Sequence, residues 1–264
     1  MAKYLKLFET DADYQQFIGG DFLKPNSLVT DTNSLFYNPL EKELPYLTIT
    51  ALEDDLTVLF SNSSQYSLNG TDWNELSANT ITPAISSGEK IYIKAEGLTP
   101  NSRNGIGTFT VSNRFNLSGN VMSMLFGDEA EGKTDLTGYD GCFNTMFGSC
   151  TGLEQVSKNF LPATTLADGC YANMFAACTS LVNAPELPAT TLAEWCYNNM
   201  FGGCTSLNYI KMLATDISAN NCLSGWIIEV PSTGIFVKSK DATWNPENHR
   251  GVNGIPEGWI VETV

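Results

Sequence analysis

Basic residues are scarce in this sequence, and histidine is almost absent. The chain has 14 Lys and Arg against 29 Asp and Glu, which gives a formal net charge of −15 at pH 7. Proteins that bind nucleic acid or anionic membranes use clustered positive charge, so this balance argues against both kinds of partner. The single histidine, His249, lies in a polar loop sequence, and we interpret it as a surface residue. A histidine-based catalytic triad would have to use it.

Long apolar runs are also missing. No run approaches the roughly 20 apolar residues of a membrane-spanning helix, so we expect no membrane insertion. The opening MAKYLKLFETDADYQQF has an early lysine but no apolar core, and it turns acidic at Glu9, which does not fit a secretory signal. We therefore expect synthesis in the cytoplasm, with any location outside the cell reached by another route, such as a virus particle.

The sequence contains no pattern that indicates catalysis or a cofactor. Acidic residues cluster at 53–55 and 128–129, but adjacent acids in loops do not supply the opposed carboxylates that a glycosidase needs. We interpret them as solvated, with weak calcium binding as the alternative, because GDEAEGKTD (127–135) offers oxygen ligands without EF-hand spacing. No phosphate-binding loop or dinucleotide fingerprint is present. We predict that the protein is not an enzyme and binds no cofactor or metal.

All seven cysteines belong to an internal repeat. One repeat position holds Cys142, Cys170, Cys196 and Cys222, and a second holds Cys150, Cys178 and Cys204. Two copies, CYANMFAACTSLVNAPELPATTLAEW (170–195) and CYNNMFGGCTSLNYIKMLATDISANN (196–221), are nearly identical at their starts. Because the count is odd and follows the repeat, we interpret the thiols as small buried positions. Disulfides between copies are the less favoured alternative, and the Cys-x7-Cys spacing does not suit zinc.

Each full copy places Cys, Met, Phe and Cys at i, i+4, i+5 and i+8, which predicts one face of a short helix. Prolines such as Pro185 and Pro188 exclude a long paired strand after it. A copy is therefore predicted to hold a short helix, a brief strand and a loop, and to bury its apolar side by stacking. The predicted repeat core comprises Cys142, Met146, Phe147, Cys150, Cys170, Met174, Phe175, Cys178, Cys196, Met200, Phe201, Cys204 and Cys222.

Short alternating segments before the repeats predict an all-β, sandwich-like domain. The expected strands are 46–51, 56–60, 90–95 and 107–111. Asn69-Gly70 within SLNGTDW indicates a tight hairpin. After the repeats, two further strands are expected in GIFVKSKDATW and GWIVETV, with Trp226, Trp244 and Trp259 covering the open end of the last copy.

The predicted fold class is mixed β and α/β-solenoid, in four parts. These are an N-terminal anchor or oligomerisation segment (1–43), a β-sandwich-like domain (44–115), a leucine-rich repeat array (116–228) and a C-terminal β cap (229–264). We expect a solenoid of this kind to have a binding or structural role rather than a catalytic one.

The amino-acid sequence of the copies resembles that of a known repeat family. MFAACTSLVNAPELPATTLA (174–193) and MFGGCTSL (200–207) resemble the BspA-type leucine-rich repeats, which are abundant in gut Bacteroidales and in the crAss-like and related phages that infect them. Residues 232–262 resemble the closing segment of such proteins, and MAKYLKLFETDADYQQFIGG resembles N-terminal segments of virion proteins of these phages. The family is known for binding and attachment, so the resemblance implies no catalytic chemistry.

The resemblance implies a structural phage virion protein, as a head-fibre or tail-associated decoration. Residues 1–43 would join it to other virion proteins or to sister chains in a homodimer or homotrimer. The repeats would face outward and attach to a host glycan or surface protein, with Asn183, Asn208, Tyr209 and Lys211 as ligand-facing candidates. These four residues are alternatively a plain solvent face. A bacterial surface adhesin is the alternative function, and a glycan-degrading virion enzyme is a third.

Overall fold

The computed structural model describes residues 44–100, 105–244 and 251–264. The predicted anchor segment 1–43 and the loop with His249 lie outside these residues. Pro45–Val264 forms one compact unit. The strands of the described part form sheets of six, three and two strands.

The six-stranded sheet begins in the first described residues and ends inside the first repeat copy. Its strands are β1 (Leu47–Ala51), β3 (Ser64–Ser67), β4 (Asn74–Leu76), β5 (Lys90–Lys94), β7 (Phe115–Ser118) and β8 (Leu153–Val156). They lie in the order β4-β3-β5-β1-β7-β8, and only β7 and β8 pair in parallel. The two-stranded sheet pairs β2 (Val58–Phe60) with β6 (Phe109–Val111) in antiparallel fashion.

The strand predictions for this region are confirmed. β1, β2, β5 and β6 each lie within a predicted segment. In β1 the central Ile49 is buried opposite Ile91 and Leu117, which are buried as well. The predicted hairpin is confirmed as the β3–β4 connection, but it is a longer loop than a tight turn, because the innermost pair is Tyr66 and Asn74. Within the loop, the Asn69 side-chain oxygen accepts backbone N–H bonds from Thr71 and from the next residue, both at 2.9 Å.

The repeat copies contain consecutive turns where the sequence predicted short helices. In the first copy, Asn144, Met146 and Gly148 donate their N–H groups to the carbonyl three residues earlier, at 2.9 to 3.3 Å. Thr145 and Phe147 instead donate to carbonyls of the second copy, both at 2.9 Å. The later copies repeat this alternation. Because every second N–H group bonds to a neighbouring copy, the continuous i to i−4 bonding of an α-helix is absent from these segments.

A residue with positive φ recurs at every fourth position of the turns. These residues are Gly141, Thr145, Ser149, Gly169, Asn173, Ala177, Trp195, Asn199, Gly203, Asn221, Gly225 and Glu229, with φ between 48° and 77°. Seven of the twelve are Gly or Asn, the residues that tolerate this region best. The spacing of the buried side chains is therefore a period of four in a chain of turns, which resembles helical spacing over two or three turns.

The C-terminal sheet extends the parallel pairing of the repeats. It consists of β9 (Tyr209–Met212), β10 (Ile235–Lys238) and β11 (Ile260–Thr263), all parallel, and it confirms the two strands predicted after the repeats. Single parallel bridges join Gln155 of β8 to Asn183, and Asn183 to Tyr209 of β9. A parallel ladder therefore runs from β7 to β11 without a break, and we refer to it as the parallel ladder.

The predicted α/β-solenoid is wrong. In the described residues the only α-helix is α1 (Ser123–Phe126), which is followed by a short 3-10 segment, and none of the three sheets is closed or forms a solenoid. The left-handed residues and the bonds between copies replace the predicted helices with turns. The fold is a β-rich arrangement of open sheets connected by stacked turns.

A column of aromatic rings forms the centre of the core. Its members are Phe60, Phe109, Phe147, Phe175, Phe201, Trp226, Phe236 and Trp244, with successive ring centroids 4.5 to 6.2 Å apart. Phe143, Tyr171 and Tyr197 form a second, shorter column. Both ends of the long column are buried, and it runs from β2 through the repeats to Trp244, which follows β10. One continuous core therefore joins the strands before residue 115 to the repeats after it.

Candidate functional site

The outer face of the parallel ladder holds three of the four ligand-facing candidates. Tyr209 and Lys211 alternate in β9 with two fully buried residues, so their side chains stand on the other face of the strand. Asn183 pairs in register with Tyr209 on one side and with Gln155 on the other. The structure therefore brings Asn183 and Tyr209 together in one row, with Lys211 two positions further along β9.

Asn208 and Lys211 both have partners within the chain. Asn208 is exposed and immediately precedes β9; its N–H donates to Val182 at 2.9 Å, and its carbonyl accepts from Ile235 at 2.8 Å. Lys211 Nζ lies 3.0 Å from a carboxylate oxygen of Glu186, and both side chains are about three-quarters buried. The backbone of Asn208 therefore stabilises the ladder, and the charge of Lys211 is neutralised locally.

The row of outward residues changes from polar to apolar along the parallel ladder. From Gln155 and Asn183 it continues through Tyr209 to Ile235, and it ends at Ile260, whose side chain is 64% exposed. Hydrogen-bonding groups thus lie at one end and apolar side chains at the other. In a rigid sheet, such a row presents its side chains at the regular spacing of neighbouring strands.

The residues predicted as the repeat core are all buried. Their side chains, from Cys142 to Cys222, are 0 to 6% exposed. All seven cysteines are free thiols, and several donate hydrogen bonds to carbonyls of the preceding copy or strand, such as Cys178 Sγ to Phe147 at 3.2 Å and Cys204 Sγ to Phe175 at 3.1 Å. The sulfur atoms thus form part of the packing between copies.

Burial also lowers the reactivity of these thiols. It raises the pKa of Cys150, Cys196 and Cys204 to about 12, and it raises the pKa values of the other four as well. Because the thiolate is the nucleophile and the metal ligand, protonated buried thiols perform neither role near neutral pH. Among the described residues, no group of three His, Cys, Asp or Glu side chains is arranged to hold a metal ion.

The acidic clusters singled out in the sequence make contacts within the chain. Asp128 accepts hydrogen bonds from Lys94 Nζ at 2.7 and 2.8 Å and from the Tyr46 hydroxyl at 2.8 Å. The Lys94 bond, followed by the Tyr46 bond, lowers the pKa of Asp128. Lys94 also lies 4.2 Å from the centre of the Trp73 ring. At the other cluster, Glu53 is paired with Arg114 at 3.5 Å.

The sequence reasoning did not select Trp195, although the structure exposes it. Its side chain is 42% exposed, and its φ is +56°. The equivalent positions of the other copies hold Gly141, Gly169 and Asn221. An alignment of the copies at this position would have shown one bulky residue among residues that suit a left-handed backbone.

Comparison with known proteins gives no relative for this arrangement. No protein-family model, curated protein or solved structure matches the chain. In the part of the chain that the structure describes, no helix has the length and apolar character needed to cross a membrane.

Proposed function

We propose that this chain is a non-catalytic attachment protein that binds a ligand through the outer surface of its stacked copies. The observation that carries the proposal is the unbroken parallel ladder, with the outward row Gln155, Asn183 and Tyr209 in register on it. Each copy is bonded to the next through alternate backbone N–H groups, and aromatic rings stack between them. A surface built in this way is preorganised, which favours binding because little ordering is left to occur on contact.

We further propose that the attachment protein belongs to a phage virion, as a head-fibre or tail-associated decoration. The resemblance of the copies and of the opening residues to proteins of Bacteroidales phages supports this assignment. The net charge of −15 also fits a protein that is crowded on a particle surface, since like charge opposes non-specific association. Residues 1–43 would join the chain to the particle or to sister chains, as a dimer or trimer.

Two measurements test the proposal. Antibodies against the full chain should label purified phage particles in electron micrographs. Light scattering should give the mass of a dimer or trimer for the full chain and of a monomer for a chain that starts at Leu44, next to the compact unit that begins at Pro45. A monomer in both cases, together with unlabelled particles, would refute the virion assignment. Labelling of bacterial surfaces would instead favour an adhesin.

A further inference from the structure

We propose that Trp195 is the stacking platform of a binding site for neutral saccharides. This inference rests on the proposed attachment function and names the ligand class and the position of the site. It begins from two unfavourable properties of the same residue. Trp195 is a large aromatic side chain left 42% exposed, and its backbone lies in the left-handed region at φ +56°.

The other copies show that the fold requires the left-handed backbone at this position but does not require a large side chain there. The position of Trp195 corresponds to Gly141, Gly169 and Asn221, which adopt φ of 64°, 61° and 53°. Gly and Asn adopt these angles at little cost, whereas a bulky residue there is a conformational outlier. A strained, exposed residue at a site where its counterparts are unstrained is expected where the side chain has a function.

The backbone around Trp195 is fixed by its neighbours. Its N–H donates to the Asn220 carbonyl in the next copy at 3.1 Å, and its own carbonyl accepts from Asn198 at 3.0 Å. The indole Nε1–H donates to Glu194 Oε1 at 3.1 Å, so the ring is oriented as well. The platform is therefore held in place before any ligand arrives, which lowers the entropic cost of binding.

Hydrogen-bond acceptors surround this platform on the same corner of the stack. Glu194 is exposed beside Trp195, and its counterparts in the adjacent copies are Asp168 and Asn220, which are exposed too. The three are joined in a backbone column, since Gly169 donates to Glu194 and Trp195 donates to Asn220. The Asp168 carboxylate reaches the same corner, because its Oδ1 accepts from the N–H group of Glu194 at 3.2 Å.

This combination suits a sugar better than it suits a protein or an anionic ligand. The apolar face of a pyranose packs on an indole ring, while its hydroxyl groups donate to carboxylate and amide oxygens. A protein partner would need a contiguous apolar patch, whereas Trp195 is a single ring among polar side chains. The carboxylates of Asp168 and Glu194, in a chain with net charge −15, would repel uronic and sialic acids. The site is therefore expected to select neutral saccharides.

The test measures the binding of the full chain to immobilised chitotriose, maltohexaose and cellohexaose, with an alginate oligomer as the acidic comparison. The variants are Trp195→Asn, which installs the residue found at 221, and Trp195→Phe, which keeps a ring. Ile228→Asn is the matched control, because Ile228 is 41% exposed in the last copy. We expect at least one neutral oligosaccharide to bind, Trp195→Asn to weaken its affinity at least about tenfold, and Trp195→Phe and Ile228→Asn to stay within about threefold.

Thermal unfolding of the same variants tests the argument from strain. Trp195→Asn should melt at the same temperature as the wild type or about 2–4 °C higher, since it relieves the strain. A lower melting temperature would mean that the side chain is retained for stability and would overturn the inference. The inference would also be overturned if Trp195→Asn bound with unchanged affinity, or if the wild-type chain preferred the alginate oligomer. The same holds if the wild-type chain bound none of the neutral probes.

The outcomes also separate this site from the proposed function. Full-chain binding to host cells that Trp195→Asn leaves unchanged would refute the site and leave attachment standing. Binding that survives enzymatic removal of cell-surface glycans would indicate a protein receptor and would refute the saccharide assignment. Absence of binding to cells, together with unlabelled phage particles, would refute the attachment function itself.

Discussion

Removal of one buried hydroxyl group should stabilise this protein. The Tyr171 ring lies in the shorter aromatic column, 5.6 Å from Phe143 and 6.1 Å from Tyr197, and the residue is 1% exposed. Its hydroxyl oxygen is buried and has no hydrogen-bond partner among the described residues. The equivalent position in the preceding copy is Phe143, which packs in the same column without a hydroxyl group.

The magnitude follows from the two parts of the side chain. A buried polar group without a partner costs about 1–3 kcal/mol relative to its hydrated state. Tyr171→Phe removes that cost and keeps the ring and both stacking contacts. The free energy of unfolding should therefore increase by about 1 kcal/mol, and the melting temperature should rise by about 2–4 °C.

Urea unfolding monitored by circular dichroism measures this change, with equal m-values required for the comparison. Tyr171→Leu is the control, because it removes the hydroxyl and the ring together and should lower the free energy of unfolding by about 1–3 kcal/mol. If Tyr171→Phe instead lowered it by about 1 kcal/mol or more, the hydroxyl would have a partner such as a buried water molecule. The reasoning from an unsatisfied group would then be refuted.

Two further predictions concern titratable groups. Because burial raises the pKa of every thiol, a thiol reagent at pH 8 should label the native protein slowly, and Cys222, which lines an open cavity, should react first. After urea is added, all seven cysteines should be labelled. Rapid labelling of several thiols in the native protein would contradict this prediction. Asp128 has a folded pKa below its ordinary 3.8, so its contribution to stability is present above that pH and is lost as the pH falls through the folded value. Asp128→Asn should therefore destabilise the protein by less than about 1 kcal/mol at pH 7, because the side chain is largely exposed, and the difference from wild type should shrink as the pH falls through the lowered pKa of Asp128. A difference that stays constant in urea melts as the pH is lowered would refute the assignment.

The strands could be predicted from the sequence because their pattern has only one interpretation. Alternation of apolar and polar residues in YLTITA and KIYIKA gives β1 and β5, and Asn69-Gly70 indicates the hairpin between β3 and β4. A parallel bridge at a single residue, Asn183, has no such signal, since adjacent prolines suppress the strand around it. The row formed by Asn183 and Tyr209 depends on pairing between copies. The repeat spacing implies that neighbouring copies pair, but it does not say which residues lie opposite each other.

The helices were wrongly predicted because two periodicities nearly coincide over a short segment. Apolar residues at i, i+4 and i+8 drift by only about 80° on an α-helix, so a pattern with a true period of four passes for a helical face. The distinguishing signal is the composition between them. Gly169, Asn173, Asn199 and Gly203 recur at every fourth position, where a helix of this length would not require residues that favour positive φ. The same alignment of the copies also identifies Trp195 as the one bulky residue at its position.

The stacked turns also predict that one whole copy can be removed. Each copy bonds only to its neighbours, through equivalent atoms: Phe143 donates to Cys170, and Tyr171 donates to Cys196. Deletion of residues 170–195 would therefore place Phe143 against Cys196 with the same geometry. The shortened chain should unfold cooperatively, with a urea m-value lower by about a tenth, in proportion to its length. Deletion of residues 170–182 is the control, because removal of half a copy brings non-equivalent atoms together and should prevent folding. If both deletions fold equally well, or neither folds, the bonds between copies are not interchangeable and this account of the repeats is wrong.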